Sequence, residues 1–235
     1  MEPIKILFAH RDYVVCVKPA GVLSQNGKPG QDSMVSLLEK QLGGTIYPVH
    51  RLDRETGGVM VYARTSVGAA RLSRQIQQGQ LRKEYLAVLR GTPKQPRGVL
   101  EDILFHDARR NKSYVVRRVR KGARQAKLSY QVLATREDQT LVQIRLFTGR
   151  THQIRVQFSS RGLPLVGDGT YGGGHGGLCL WSCRLEIPTG NGQPCSFVEM
   201  PERLGPFSEL PLLVELAEEK EGPVYKFLDK TAGVE

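Results

Sequence analysis

Residues 50–63 read HRLDRETGGVMVYA, and the apolar half of this stretch is the clearest strand signal in the chain. Residues 59–63 are apolar without interruption, which is typical of a short strand buried on both faces. The nine residues before them contain one histidine, two arginines, two acids and two glycines. Simple turn residues ordinarily lead into a buried strand, so this polar lead-in is a candidate functional loop.

Asp53 is the candidate reactive group of that loop. It lies between Arg51 and Arg54, and a guanidinium that pairs with a carboxylate keeps it ionised at neutral pH. An ionised, partly desolvated carboxylate can act as a nucleophile, and the adjacent glycines let a ligand or another backbone approach closely. A loop held by structural ion pairs would show the same spacing, so spacing alone leaves both interpretations open.

A second polar cluster, GRTHQIRV, occupies residues 149–156. It opens a segment at residues 151–161 that fits a helix imperfectly. An arginine at the start of a helix is unfavourable for the helix dipole, so Arg150 calls for a partner, and a carboxylate such as Asp53 would supply one. An ordinary surface arginine of a basic protein is the alternative.

The segments around these clusters predict an α+β fold. Strands are predicted at residues 13–17, 59–63, 84–89, 126–133, 141–146 and 178–187. One helix is predicted at residues 33–42, with Asp32 or Ser33 as its N-cap and Gly43 as its stop, and a second from a Thr65 or Ser66 cap to about residue 78.

The connections between these segments favour one central sheet. Only a short turn joins the strands that end at residue 133 and begin at residue 141, so they should pair antiparallel. Regular alternation of strands and helices, which a doubly wound parallel sheet would need, is missing. We therefore expect a mixed, mostly antiparallel central sheet flanked by helices.

The charge of the chain points to a polyanionic partner. Lys and Arg total 34 against 23 Asp and Glu, a net charge of +11, which favours nucleic acid ahead of a membrane surface. Residues 109–127 hold nine Lys or Arg and no acid, with β-branched residues that predict a short strand or hairpin. Phosphate contact is one use of such a surface, and a solvated basic loop is the alternative. The candidate nucleic-acid-binding residues in this segment are Arg109, Arg110, Lys112, Arg117, Arg118, Arg120 and Lys121.

Other features of the composition exclude several classes of protein. No apolar run approaches the ~20 residues that span a bilayer, and the N-terminus does not have the pattern of a secretory signal. The four cysteines are scattered, without a secretory context for a disulfide framework. The sequence therefore predicts a cytoplasmic protein without membrane association.

Five motifs, in order along the chain, resemble the RluA family of RNA pseudouridine synthases. VHRLDRETGGVMVYART at residues 49–65 is similar to the catalytic-aspartate motif of that family, and FTGRTHQIRVQF at residues 147–158 to its later arginine motif. Weaker matches are VCVKPAGVLSQ, RKEYLAVLRG and GLPLVGDGTYGG, which begin at residues 15, 82 and 162. The resemblance covers roughly residues 12–201.

The resemblance implies roles for particular residues. Asp53 would be the catalytic aspartate, Tyr85 the tyrosine that stacks on the target base, and Arg150 the arginine that pairs with the aspartate. Arg51 would lie against the RNA beside the space left by a flipped nucleotide. The expected substrate is a uridine in ribosomal or transfer RNA, and the aspartate could attack C1′ of the ribose or remove the C2′ proton.

The resemblance also implies an organisation of the chain. It predicts a single catalytic domain at residues 1–213 with a basic active-site cleft, followed at residues 214–235 by a peripheral helix and tail. No S4 RNA-binding domain is expected, because the first motif already begins near Lys18. The expected protein is a monomer that needs no metal, no organic cofactor and no obligate protein partner.

Two positions and one segment depart from the family pattern. Gly57 stands where serine is common, Gln157 stands where histidine is usual, and residues 172–177 are unusually rich in glycine. None of them is the aspartate, the tyrosine or the paired arginine. They therefore leave the choice of RNA more open than the chemistry.

Four other interpretations of the sequence compete with this one. A protein kinase would need a glycine-rich phosphate loop and a DFG segment, and a glycosidase using Asp53 and Glu55 lacks a marked partner acid. A zinc site at Cys179 and Cys183, even with His175, matches no standard spacing, so buried structural cysteines are favoured. The rival that stays open is an RNA-binding or chaperone-like protein of the same fold that has lost the chemistry.

Overall fold

The computed structural model describes residues 2–27, 30–118, 120–189 and 194–207 of the chain. In these residues an 11-stranded, mostly antiparallel sheet forms the centre, with three helices against it. This confirms the predicted fold class. The peripheral helix predicted at residues 214–235 lies outside the described residues, and no described helix is both long enough and apolar enough to cross a bilayer.

Strands and helices alternate irregularly along the chain. The elements are β1 (Ile6–Ala9), β2 (Tyr13–Lys18), α1 (Met34–Leu42), β3 (Tyr47–Pro48), β4 (Gly57–Ala63), α2 (Ser66–Gln77), β5 (Arg82–Arg90), β6 (Arg97–Asp107), β7 (Lys112–Val116), β8 (Ala123–Arg136), β9 (Gln139–Leu146), α3 (Gln153–Ser159), β10 (Leu180–Pro188) and β11 (Pro194–Val198).

The order of strands places the candidate loop near the middle of the sheet. The order is β1-β2-β4-β10-β5-β9-β8-β6-β7, with β3 added to β4 and β11 added to β10. β10 pairs parallel with β4, and the other pairings are antiparallel. β10 thus separates β4 from β5, so a strand from late in the chain lies between the two strands that carry the early motifs.

The core lies on both faces of the sheet. On one face Met34 and Leu38 of α1 pack with Met60 of β4 and with Phe158 of α3. On the other face Leu72 of α2 packs against alternate residues of β2 and β4. Every residue of β4 is buried, as expected for an apolar strand with its two faces covered.

The predicted helix caps are confirmed in detail. Ser33 caps α1: its hydroxyl accepts from the backbone N–H of Ser36, whose own hydroxyl accepts from Ser33 N–H. Gly43, with φ +70°, ends the helix. Thr65 caps α2 through a 3.0 Å bond from Gly68 N–H. The cap places α2 directly after β4.

The basic segment, residues 109–127, does contain a strand, but it does not fold as a hairpin of its own. Its strand β7 pairs with β6, and β8 pairs with the opposite edge of β6. The β6 strand, which the sequence pattern does not predict, therefore lies between the two halves of the basic segment. The two halves of the segment therefore lie on opposite sides of β6.

Candidate active site

The loop that carries Asp53 is fastened to the β2–α1 connection by backbone-directed bonds. The Ser24 hydroxyl donates to Leu52 O at 2.8 Å and accepts from Leu52 N–H at 3.0 Å. The hydroxyl of Tyr62, on β4, donates to Ser24 O at 2.8 Å. Leu52 is buried, whereas Asp53 is only partly buried. The neighbouring residue is thus anchored in the core, and the carboxylate faces outward.

Lys18 holds the other side of the same loop. Its side chain is fully buried, and its ammonium donates to Arg54 O at 2.8 Å and to Pro19 O at 2.9 Å. Gly21 N–H also donates to Arg54 O, and Arg54 Nε donates to Gly21 O. Burial lowers the pKa of Lys18 to about 8, although the charges of Glu55 and Asp53 oppose the shift. The early KPAG motif therefore acts as a support for the Asp53 loop.

The two glycines at the end of the loop permit a close approach of β10. A Cβ on Gly57 would lie 2.3 Å from the Trp181 ring, and one on Gly58, whose φ is +115°, would lie 2.2 Å from Ser182 O. Trp181 thus occupies the space that a serine side chain at residue 57 would need. The departure from the family pattern at Gly57 has a packing reason.

Arg155, on α3, is the arginine that pairs with Asp53. Its Nη1 donates to Asp53 Oδ2 at 3.0 Å, while Nε and Nη2 donate to the two carboxylate oxygens of Asp168 at 2.7 and 2.8 Å. Both Arg155 and Asp168 are buried. Burial lowers the pKa of Arg155, but the bonds and charges of Asp168 and Asp53 outweigh it and raise the pKa. A bidentate pair of this kind fixes direction as well as charge.

The expectation that Arg150 pairs with Asp53 is wrong. Arg150 is exposed at the cavity wall, and its Nε donates to Gln125 O at 2.8 Å. The chain turns at residues 151–152, before α3 begins at Gln153, so the two arginines of the motif face different ways. The sequence identified the motif that contains the partner of Asp53. It could not show that the turn directs Arg155, and not Arg150, towards the carboxylate.

Asp168 is held by the glycine-rich turn that follows it. Its Oδ1 accepts from the backbone N–H groups of Thr170 and Tyr171, and its backbone O accepts from Gly173 N–H at 2.8 Å. A Cβ on Gly173 would lie against Leu165 O, so only glycine fits this turn. We therefore assign the first part of the glycine-rich segment to fixing the carboxylate that aims Arg155.

A cavity of about 560 Å³ opens beside Asp53, within the ~300–1,000 Å³ range of small-molecule sites. Its apolar lining includes Leu52, Leu146, Ile154 and Leu180, and Asp53 and Arg155 supply charge at its wall. Arg155 donates to Asp53 Oδ2. Within the described residues no side chain or backbone group donates to Asp53 Oδ1. One carboxylate oxygen is therefore held and the other is available to a ligand.

Tyr85, at the middle of β5, also lines this cavity. It pairs with Ser182 of β10 and Ile144 of β9 across the sheet, so its backbone position is rigid. Burial, with a smaller contribution from the Asp53 charge, raises the pKa of Tyr85, and it stays a neutral phenol at physiological pH. A buried aromatic ring at a cavity wall is suited to stacking on a base.

Two further titratable side chains, which the sequence did not mark as functional, line the cavity. Burial and the nearby charge of Lys83 lower the pKa of His50 to about 3. The neutral His50 ring accepts from Val61 N–H through Nε2 at 3.1 Å, which ties the loop to β4. Burial also lowers the pKa of Lys83 itself. Lys83 is therefore a half-buried cation that lines the cavity from β5.

The candidate RNA-binding residues fall into two groups. Arg51 is exposed and lines both the main cavity and a second one of about 330 Å³, and Asp53 also lines both. Asn111, in the β6–β7 turn, lines the second cavity, and Arg109 and Arg110 flank it in sequence. Lys112 lies over the Tyr171 ring, 5.2 Å from its centroid.

The other group lines neither cavity. Arg117, Arg118 and Lys121 are exposed in the connection between β7 and β8. Arg120 is also exposed but stacks on the Phe105 ring, 3.8 Å from its centroid. In the described part of the basic segment, only Arg110 and Lys127 form ion pairs. Most of its positive charge is therefore available to an external anion.

Comparison with known proteins identifies the family of this chain. Residues 12–160 match the family model for RNA pseudouridylate synthase. An uncharacterized RNA pseudouridine synthase of Aquifex aeolicus is 37% identical over 183 residues, which are 72% of this chain and 56% of the relative. The ribosomal large subunit pseudouridine synthase D of Nitrosomonas europaea is 36% identical over 176 residues, 72% of this chain and 50% of the relative.

A solved structure shows the same fold. The structure of human RNA pseudouridylate synthase domain containing 4 superimposes with a TM-score of 0.70 at 25% identity, covering 87% of this chain and 90% of the human chain. This chain belongs to the RluA-type RNA pseudouridine synthase family. It spans about half the length of the first curated relatives that it matches.

Proposed function

We propose that this protein is an RNA pseudouridine synthase, an isomerase that converts a uridine in RNA to pseudouridine with Asp53 as its covalent or basic catalyst. The observation that carries the proposal is the Asp53 carboxylate at the cavity wall. Arg155 holds its Oδ2, Oδ1 is without a donor among the described residues, and Tyr85 lines the same cavity. Family membership points to the same chemistry.

The reaction needs the target base to leave its stack. Flipping costs a few kcal/mol, and stacking on Tyr85 can return about 1–3 kcal/mol. The uridine then lies between the aromatic ring and the Asp53 carboxylate. Arg51, exposed where the two cavities meet, is positioned to contact the RNA backbone beside the flipped nucleotide.

Asp53 then has two chemically balanced routes. Its free oxygen can attack C1′, so that the C1′–N1 bond breaks and uracil leaves as an anion, and C5 later displaces the carboxylate. Alternatively, the carboxylate takes the C2′ proton as uracil leaves. C5 then bonds to C1′ of the resulting C1′=C2′ double bond, and the protonated Asp53 returns the proton to C2′. On either route C5 loses a proton and N1 gains one, so the balance includes no oxidation and no hydrolysis.

The buried Arg155 serves both routes in the same way. It holds the carboxylate in one orientation and favours its charged form. Asp168, bonded to the same guanidinium, prevents Arg155 from following the carboxylate as it reacts. Such fixed charges act without reorganising during the reaction.

Large-subunit ribosomal RNA is the finer substrate that we propose, with transfer RNA as the alternative. The support is the 36% identity to the Nitrosomonas europaea enzyme, whose name places it on the large ribosomal subunit. The exposed cations of the basic segment suit a folded RNA, because phosphate contacts recognise its shape without reading sequence.

Loss of the C5 hydrogen gives a direct test. RNA labelled with tritium at C5 of uridine should release tritium with wild-type protein, and Asp53→Asn should release none while its RNA affinity changes less than about threefold. Asp32→Asn, an exposed carboxylate outside both cavities, is the matched control and should keep full activity. Tritium release by Asp53→Asn would disprove its role.

The same assay decides the substrate and the remaining rival. Sequencing that maps pseudouridine in the treated RNA identifies the site: a site in large-subunit RNA supports the finer proposal, and a site in transfer RNA replaces it. Wild-type protein that binds RNA tightly but releases no tritium from either RNA would favour the RNA-binding protein without chemistry.

A further inference from the structure

His152 lies in a strained backbone conformation next to Asp53. Among the described residues only Asn111, Glu137 and His152 are non-glycine residues with positive φ, and the φ of His152 is +54°. The first two are exposed, whereas His152 is buried. A buried non-glycine residue is held in this left-handed region only when the surrounding bonds impose it, and such positions cluster at functional sites.

Ser113 of β7 imposes this conformation. Its hydroxyl donates to Thr151 O at 2.7 Å, which fixes the peptide group just before His152. Its backbone N–H donates to the hydroxyl of Tyr171 at 2.7 Å, and that hydroxyl lies 3.0 Å from His152 Nδ1. The turn and the imidazole ring are therefore both tied to one residue of the basic segment.

The hydrogen bonds determine which nitrogen of His152 carries the proton. A backbone N–H can only donate, so the Tyr171 oxygen accepts from Ser113. In the described residues the other polar groups beside that oxygen are His152 Nδ1 and the Ser113 hydroxyl, whose hydrogen is already donated to Thr151 O. The Ser113 oxygen also has His106 Nδ1 beside it at 3.2 Å, so we assign the buried Tyr171 O–H as a donor to His152 Nδ1. Nδ1 is then an acceptor, and the hydrogen of the neutral ring is on Nε2.

The protonated nitrogen faces the candidate catalytic carboxylate. His152 Nε2 lies 3.8 Å from Asp53 Oδ2, the same oxygen that accepts from Arg155. This distance is too long for a direct hydrogen bond, and a movement of less than about 1 Å, or one bridging water, would complete the contact. Both donors then converge on Oδ2, and neither faces Oδ1.

We infer that His152 is a positioning residue of the proposed reaction: its Nε2–H, oriented by Tyr171 and Ser113, helps Arg155 to hold Oδ2 of Asp53 so that Oδ1 faces the uridine. This inference rests on the proposed function. Burial lowers the pKa of His152, while the charge of Asp53 opposes the shift, so the neutral ring required here is the favoured form. The groups that face the ring are Asp53, Arg155, Asp168, His106 and Tyr171.

His152→Asn separates the positioning role from the structural one. Asparagine tolerates positive φ, and its side-chain oxygen can accept from Tyr171 where Nδ1 did, but it has no donor at the place of Nε2. We expect kcat for tritium release to fall about tenfold to a hundredfold, since a small misplacement of a reacting group has effects of that size. KM, RNA affinity and Tm should stay close to wild type. His10→Asn, at a partly exposed histidine in the β1–β2 turn, is the matched control.

A second variant tests the relay itself. Tyr171→Phe removes the hydroxyl that selects the tautomer, so we expect a similar fall in kcat and no further fall when it is combined with His152→Asn. Losses that multiply in the double variant would show that the two residues act independently and would overturn the relay.

A spectroscopic measurement distinguishes failure of this inference from failure of the proposed function. The ¹⁵N chemical shifts of the five histidines report their tautomers, and the signals missing from His152→Asn identify His152. A proton on Nε2 supports the inference, even if wild-type protein proves inactive on every RNA tried. A proton on Nδ1, or an unchanged kcat of His152→Asn in an active enzyme, overturns it.

Discussion

The Asp53 loop, residues 50–58, and the basic segment, residues 109–127, are both rich in charged residues, yet the fold treats their charges in opposite ways. In the loop, Asp53 is ion-paired with a buried arginine, and the backbone on either side of it is bonded to Lys18 and Ser24. In the basic segment most cations are exposed and unpaired within the described residues.

This difference predicts separate roles for the two regions. A charge whose direction is fixed by buried partners can act on one atom of a bound nucleotide, because its surroundings do not rearrange during the reaction. Exposed cations without fixed partners cannot select an atom, but they attract phosphates wherever the RNA surface presents them. We therefore expect changes in the loop network to lower kcat, and changes in the basic segment to lower affinity.

Apart from substitution of Asp53 itself, the largest effect should follow from Arg155→Leu. The substitution leaves Asp168 buried without its partner and frees Asp53 to turn, so we expect about 3–5 kcal/mol of lost stability and at least about a hundredfold lower kcat. Chemical denaturation and tritium release measure the two effects. The double variant Arg155→Leu/Asp168→Asn, in which the amide oxygen can still accept from Thr170 N–H and Tyr171 N–H without a buried charge, should recover most of the stability and none of the activity.

Arg150→Leu is the matched comparison for Arg155→Leu. It removes the same side chain five residues earlier, at an exposed position whose bond is to a backbone carbonyl. We expect no change in stability and a loss of kcat no larger than about tenfold. A loss as large as that of Arg155→Leu would mean that Arg150 aims the carboxylate in the RNA complex, as the sequence had suggested.

A smaller effect should come from Lys18, beneath the same loop. Its pKa is about 8 in the folded protein against an ordinary 10.5, so between these values the unfolded chain binds a proton that the folded chain has released. Stability that depends on Lys18 therefore rises as pH increases from about 8 to 10.5. The shift of about 2.5 units corresponds to about 3 kcal/mol.

Lys18→Met gives the measurement for this prediction. Buried thiols and phenols, such as Cys183 with its pKa raised to about 12, titrate in the opposite sense over the same range. The quantity to follow is therefore the unfolding free energy of wild type minus that of Lys18→Met, which should increase by about 3 kcal/mol from about pH 7.5 to 10.5. A difference that stays constant with pH would show that the pKa of Lys18 is the same in the folded and unfolded states, as it is for a solvated ammonium.

Local sequence patterns were sufficient to predict those elements whose structure depends on residues close together in the chain. The apolar run of β4, the Ser33 and Thr65 caps and the hairpin of β8 and β9 all depend on residues close together in sequence. The β6 strand was missed because its buried Leu100 and Leu104 lie among charged and exposed residues, without the simple alternation of a half-buried strand.

The sequence motifs predicted which segments form the candidate site, but not which side chains contact each other within it. Asp53 and Tyr85 do line one cavity, but the partner of Asp53 lies 102 residues away, and its identity depends on a left-handed turn at His152. Positive φ at a histidine leaves no pattern in one sequence. Nor does the bidentate bond to Asp168, because two residues thirteen apart meet only after the glycine-rich turn has formed.

The smallest effect, and the sharpest test of the contrast, should come from the basic segment. Replacing Arg117, Arg118 and Lys121 together by Ala should weaken RNA binding about tenfold at moderate salt and lower the slope of log Kd against log salt by about 2 to 3. Arg120 is left in place because it packs on Phe105, so its loss would disturb the sheet as well as the charge.

A control variant distinguishes the effect of charge at this particular surface from the effect of the total charge of the protein. Lys40, Arg74 and Lys94, which are exposed and line neither cavity, can be replaced by Ala to give a control with the same net charge. A specific RNA-binding surface predicts a reduced salt slope only for the first triple variant, with kcat at saturating RNA unchanged in both. Equal slopes in the two triple variants would show that total charge attracts the RNA and that the basic segment faces solvent. A fall in kcat confined to the first variant would instead show that the connection between β7 and β8 acts on the Asp53 network, and the division between the two regions would fail.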